Sequence, residues 1–181
     1  MNRRFVSLVP TLIVVLPLFP MAWPIVAALG ARPNRDACLL LTRAEVEAVQ
    51  GEPVTATKGS SPRRPALNVA QCFYTVATFS KSVSLEVARR DSKASPGDTP
   101  RKRFKELFHR AAADAGEEDA RPPRPVPGVG EEAFWMGNAV TGGLYVLQDD
   151  ATLRISVGGP GDETVKIEKA ARLAREALAR L

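Results

Sequence analysis

The chain has 181 residues, with 25 Lys and Arg against 20 Asp and Glu, a single His and a formal charge of +5. Residues 1–31 hold Arg3 and Arg4 and no acid, so the rest carries 23 basic and 20 acidic side chains, too near balance to call for a polyanionic partner. At 45% apolar and 25% charged, the composition is that of an ordinary folded domain, with enough chain after residue 31 for one hydrophobic core.

Residues 5–31 contain no charged side chain and follow Asn2-Arg3-Arg4. This is the basic start, apolar middle and small-residue end of a secretory signal, and Ala28-Leu29-Gly30 suits a cut near Gly30 or Ala31. The alternative is a retained anchor. The 27 uncharged residues exceed the usual signal core and are enough to span a bilayer about 30 Å thick. Pro10, Pro17, Pro20 and Pro24 interrupt such a helix without forbidding it. On either reading Arg3 and Arg4 hold the N-terminus on the cytoplasmic side, and residues 32–181 are exported to a periplasmic or other extracytoplasmic space. The first cysteine, Cys38, is approached through Asn34-Arg35-Asp36-Ala37, a charged stretch unsuited to lipid attachment.

Two cysteines, Cys38 and Cys72, lie 34 positions apart. In an oxidising compartment they most simply pair with each other, the alternative being two buried free thiols. Two sulfurs and one distant His do not complete a four-ligand zinc site, and no motif implies another cofactor.

In chain order, Thr42-x-x-Glu45 is a capping box that starts a helix over 43–50, with Leu41 and Val46 placed as a hydrophobic staple. Gly51 and Pro53 stop it. Residues 54–57 form a short strand, followed by a polar loop from Gly59 to Leu67. Residues 70–79 alternate, with Cys72, Tyr74 and Val76 on one face and Phe73, Thr75, Ala77 and Phe79 on the other. After a Ser80-Lys81 turn, Val83, Leu85 and Val87 again alternate with polar neighbours, so the two runs form a hairpin. From Pro100, Phe104, Leu107, Phe108, Ala111 and Ala112 recur at helical spacing, with Thr99 as cap and Gly116 as stop. The stretch 117–127 is proline-rich and polar, a stiff connector near polyproline geometry. Strands follow at 132–137, 144–149 and 152–157, then a helix from 163 capped by Asp162. That helix carries an apolar stripe of Ile167, Ala170, Ala171, Ala174, Leu178 and Leu181. The order αβββαβββα is rich in hairpins and lacks strand–helix–strand alternation. It predicts an α+β fold, a mostly antiparallel sheet of about six strands packed by two or three helices in a single domain over 32–181.

No catalytic constellation emerges. His109 lies well off the apolar stripe of its helix and reads as a solvated side chain. There is no Gly-x-Ser-x-Gly elbow and no Ser-x-x-Lys. The acidic pairs Glu117-Glu118, Glu131-Glu132 and Asp149-Asp150 read as solvated charge rather than as a glycosidase dyad. Arg101, Lys102, Arg103 and Lys105 form the densest basic cluster. They occupy the first turns of a helix, where positive charge opposes the dipole, and are a candidate anion-contact surface beside the plainer reading of a solvated face. Trp135, Tyr74 and Tyr145 fit core packing better than a pocket. Nucleic acid is poorly suited as a partner, because export removes the usual target and aromatic residues are sparse.

Two runs carry a resemblance. One is Cys38-Leu39-Leu40-Leu41-Thr42-x-x-Glu45-Val46, with Gly51-x-Pro53-Val54 and Cys72-x-Tyr74; the other is Val126-Pro127-Gly128-Val129-Gly130-Glu131-Glu132-Ala133-Phe134. The pattern is similar to that of small exported bacterial proteins classed as domains of unknown function, many of them lipoproteins. The resemblance covers most of 36–181 and implies a Cys38–Cys72 disulfide and an α+β fold of the Mog1/PsbP kind. It supplies no catalytic residues. The expected function is therefore a non-enzymatic exported domain that binds an envelope protein or small ligand. The alternatives are an envelope enzyme whose carboxylates meet only on folding, or a domain that docks on anionic lipid through Arg101, Lys102, Arg103 and Lys105.

Overall fold

The computed structural model describes residues 36–95, 97–113, 122–138 and 140–181. The expected export segment, the helix stop at Gly116 and the first part of the connector at 117–121 lie outside the described residues.

A 3-10 turn over Ala37–Leu39 comes first, capped by Asp36, whose carboxylate accepts from Cys38 N at 2.9 Å. Helix α1 (Arg43–Gln50) begins at the capping box. Thr42 Oγ1 accepts from Glu45 N at 3.3 Å, and Glu45 Oε2 accepts from Thr42 N at 2.8 Å. Each side chain thus satisfies a backbone N–H that the helix start would leave unpaired. Gly51 ends the helix at φ 71°, a left-handed position that a Cβ would strain.

The strands are β1 (Val54–Ser60), β2 (Arg63–Arg64), β3 (Leu67–Val76), β4 (Val83–Arg90), β5 (Arg124–Pro125), β6 (Glu132–Met136), β7 (Gly143–Gln148) and β8 (Ala151–Val157). Helix α2 (Pro100–Ala113) separates β4 from β5, and α3 (Glu163–Leu178) closes the chain. All strand pairs are antiparallel, in the order β1-β3-β4-β8-β7-β6-β5, with β2 paired to β3 off that path. The α+β class follows as expected, but two strands were not anticipated. The polar loop after Gly59 instead extends β1 to Ser60 and then folds back as β2, where Arg63 faces Asn68 and Arg64 faces Leu67. In the connector, Arg124 and Pro125 pair with Trp135 and Phe134, and Val126 N donates to Ala133 O at 2.9 Å. Backbone groups make both pairings, so side-chain polarity did not forbid them. At a sheet edge, proline's missing N–H is tolerated.

One face of the sheet carries the core. Cys72, Tyr74 and Val76, then Val83, Leu85 and Val87, then Leu153, Ile155 and Val157 are buried together with Leu144, Val146 and Trp135. Helices α1 and α3 cover this face. Asp162 caps α3 by accepting from Val165 N at 2.9 Å. Ala170, Ala171, Ala174 and Ala177 of α3 are buried, and their small side chains let the helix lie close to the strands. Arg180 bridges to Glu45 of α1 at 2.5 Å. Cys38 and Cys72 form a disulfide, fastening the 3-10 turn to β3. Lys166 of α3 is buried and donates through Nζ to Val157 O at 3.2 Å. Among the described residues no helix is long and apolar enough to cross a membrane.

The second face is only partly covered. Helix α2 packs there through Phe104 and Phe108 onto Leu147, with Phe134, Met136 and Tyr145 at the margin. The described residues leave the rest of that face open.

Candidate functional site

Strand alternation puts every second residue of β1, β3, β4, β8, β7 and β6 on the open face, and the register lines them up into rungs. One rung runs Ser60, Gln71, Glu86, Arg154, Tyr145, Phe134 across six strands. Its left half is a polar chain in which Ser60 Oγ donates to Gln71 Oε1 at 3.1 Å and Gln71 Nε2 donates to Glu86 Oε2 at 2.5 Å. Its right half is aromatic. Tyr145 lies against Phe108 at a 5.3 Å ring separation, and Phe108 stacks on Phe134 at 5.0 Å. Arg154 sits where the halves meet.

Arg154 Nε donates to Tyr145 Oη at 2.9 Å, and its guanidinium stands 5.5 Å from the Tyr145 ring centre. A cation over an aromatic face is held in place by the ring quadrupole. Among the described residues no carboxylate stands within ion-pair distance of Arg154, although Glu86 is its cross-strand neighbour. Glu86 is instead engaged by Gln71. The terminal guanidinium nitrogens are therefore left for something else, and they form a fork suited to a carboxylate or phosphate.

Three hollows meet at Arg154. A groove of about 250 Å³ runs between α2 and the sheet, past Leu107, Phe104 and Glu86. A second of about 200 Å³ lies over Lys58, Phe73 and Ser84. A third of about 300 Å³ is lined by Ser82, Ser156 and Thr141. The hydroxyl oxygens of Ser82 and Ser156 are buried without a hydrogen-bond partner. Gly143 keeps this corner open. A Cβ there would stand 3.0 Å from Ser156 Oγ and 3.3 Å from Arg154 Nε.

The residues singled out by the sequence lie elsewhere. Cys38 and Cys72 are joined. Arg101 and Arg103 do not form a free anion-contact surface with Lys102 and Lys105. Arg101 pairs with Glu131 at 2.7 Å and donates to Asp149 O, while Arg103 pairs with Asp98 at 2.8 Å and donates to Pro65 O at 3.1 Å. Both arginines are spent fixing α2 to neighbouring loops, and only Lys102 and Lys105 project as exposed cations. His109 is exposed, as its helical position predicts, and its Nε2 lies 2.8 Å from Glu132 Oε1. Tyr74 and Trp135 are core residues, whereas Tyr145 does line the groove. Arg154 had no motif around it. The only available signal was its place between Leu153 and Ile155 in an alternating strand.

The carboxyl groups that depart from their ordinary pKa all move down. Arg101 holds Glu131 below the usual range, Lys81 does the same for Glu52, and Arg103 for Asp98. In Glu45 burial pushes upward, but Arg180 and Thr42 outweigh it. Such groups stay ionised and are poor proton donors, the opposite of what a general acid needs. No protein-family model matches the chain, and no curated protein matches it either.

Proposed function

We propose that the chain is an exported cell-envelope domain that binds its ligand without transforming it, and that the ligand lies on the open sheet face with an anionic group against Arg154. The observation carrying this reading is the half-buried guanidinium. It is positioned by Tyr145, lacks a carboxylate partner among the described residues and is shared by three hollows. Phe73 and Leu107 give apolar contact on either side, as a binding surface needs around a central charge. Export is inferred from the basic-then-apolar residues 1–31, and a disulfide is consistent with an extracellular location. The resemblance of the cysteine and Pro-Gly-Val-Gly patterns to those of small exported bacterial proteins supports the same reading.

The test is cross-linking in the native envelope from a photoreactive residue at position 84, on the open face, compared with position 164 on α3. Adducts should form from 84 and fall roughly ten-fold or more in Arg154→Gln, because a charge-assisted hydrogen bond contributes about 1.5–3 kcal/mol. Adducts of equal yield from 164, or a yield from 84 indifferent to Arg154→Gln, would sink the reading.

A further inference from the structure

At the end of the sheet where β2 turns into β3, a cavity of about 620 Å³ is lined by Arg63, Arg64, Arg89 and Arg90, with Asp91 its single acid. We propose that this arginine rim docks the domain on an anionic phospholipid surface, beside the Arg154 groove, with which it shares Arg64, Leu67 and Val69. Arg63, Arg64 and Arg90 are exposed, and among the described residues none of these three has a carboxylate within ion-pair distance. Arg89 Nη2 donates to Leu181 O at 3.5 Å, and Arg90 Nη2 to Ala94 O at 3.4 Å. Asp91 gives a carboxylate oxygen to Lys93 N at 3.0 Å. With Arg89 set against Leu181, the rim still carries Arg63, Arg64 and Arg90 against the single Asp91.

Their placement favours a surface over a single small anion. Arg63 and Arg64 are consecutive on β2 and so point to opposite sides of the strand, while Arg89 and Arg90 do the same on β4. Four cations fanned around a rim, three of them exposed, match a plane of headgroups better than one phosphate held in a closed nest. On this proposal lipid contact lies at the β2–β3 turn and not at the start of α2, where Arg101 and Arg103 are ion-paired.

The experiment uses the full chain reconstituted in vesicles, with a photoreactive residue at position 92, which lines the cavity. The readout is cross-linked lipid, so that insertion of the apolar segment alone does not register. Phosphatidylglycerol vesicles should give adducts that pure phosphatidylcholine does not, and the yield should fall as salt is raised. Each cation at an anionic surface is worth roughly five-fold, so Arg63→Gln/Arg90→Gln, which leaves the lining of the Arg154 groove intact, should lower the yield roughly twenty-five-fold. Lys102→Gln/Lys105→Gln should leave it unchanged. All four positions are on the exterior, and matching melting curves would show that the variants fold; the salt titration of the unaltered chain stands should one not. Equal adducts in both vesicles overturn the proposal, as does loss only in the Lys102/Lys105 variant. So does suppression by dilute inorganic phosphate, which would mark a small-anion site, or protein rather than lipid adducts in native membranes.

Discussion

Tyr74 lies in the core of β3 and donates its hydroxyl to Leu41 O at 3.1 Å, with Cys38 O at 3.4 Å. These carbonyls belong to the 3-10 turn and to the segment leading from it into α1, where no regular ladder supplies donors. Tyr74→Phe keeps the ring and strips away the donor, so unfolding should become easier by about 1–2 kcal/mol, measured as a lower denaturation midpoint at neutral pH. Burial, with the nearby Asp36 adding to it, pushes the phenol up to about 12 from 10.0. The folded form holds its proton more tightly than the unfolded chain. The stability this confers is whole below pH 10 and lost as pH rises toward 12. The same substitution should flatten that alkaline limb; an unchanged limb would mean that Tyr74 is not its source. Tyr74 and Arg154 show what could be read from residue types. Alternation placed Tyr74 with Cys72 and Val76 on one face, because each is apolar in bulk. It also set Arg154 opposite Leu153 and Ile155. It could not say that Arg154 would stand beside Glu86 on one strand and Tyr145 on another, since both neighbours come from pairings far apart in the chain.

Helix α2 is bound by a smaller apolar cluster than α1 and α3. Phe104 and Phe108 meet Leu147, and Phe134 completes the contact, with ring centres 6.0 Å from Phe104 and 5.0 Å from Phe108. The sequence shows the helix through its i, i+3, i+4 pattern, and α1 and α3 through their caps. It does not show which sheet face α2 covers, because that depends on where β7 and β8 lie. The two-residue strands β2 and β5 were hidden for another reason, since their pairing rests on backbone groups in polar and proline-bearing stretches. Phe108 is almost fully buried, and removing the ring should cost about 3–5 kcal/mol if α2 remains docked. Because the cluster is separate from the main core, we expect Phe108→Ala to act mainly on this helix. Amide exchange should quicken across 100–109 while β3 and β4 keep their protection. Uniform quickening throughout the sheet would show instead that α2 and the sheet unfold as one unit.

Across the whole molecule, the hairpins were legible and the junction between them was not. β3 with β4, and β7 with β8, are neighbours in sequence with polar turns between. The seam where Leu85 meets Ile155 and Val87 meets Leu153 joins the two halves of the chain, and no local pattern announces it. The disulfide was legible from the cysteine count together with the expected export. Ion pairs tie the same long-range arrangement: Glu45 to Arg180 between the first and last helices, Arg101 to Glu131 between α2 and the start of β6, and Lys81 of the β3–β4 turn to Glu52 in the connection from α1 to β1. These carboxyls, with Asp98, all sit below their ordinary values of 4.5 for glutamate and 3.8 for aspartate. The unfolded chain therefore takes up protons that the folded one refuses. Their contribution is complete at neutral pH and is lost as pH falls through and below those ordinary values. A melting series should be flat from neutrality to about pH 5 and descend below it. Glu131 and Glu52 lie near the surface, so salt should weaken the part they supply. Glu45 joins the first and last helices, and Glu45→Gln also weakens the capping box. That variant should start from a lower melting temperature at pH 7 and lose less than the parent on acidification. Parallel curves for parent and variant would place the acid sensitivity in other groups.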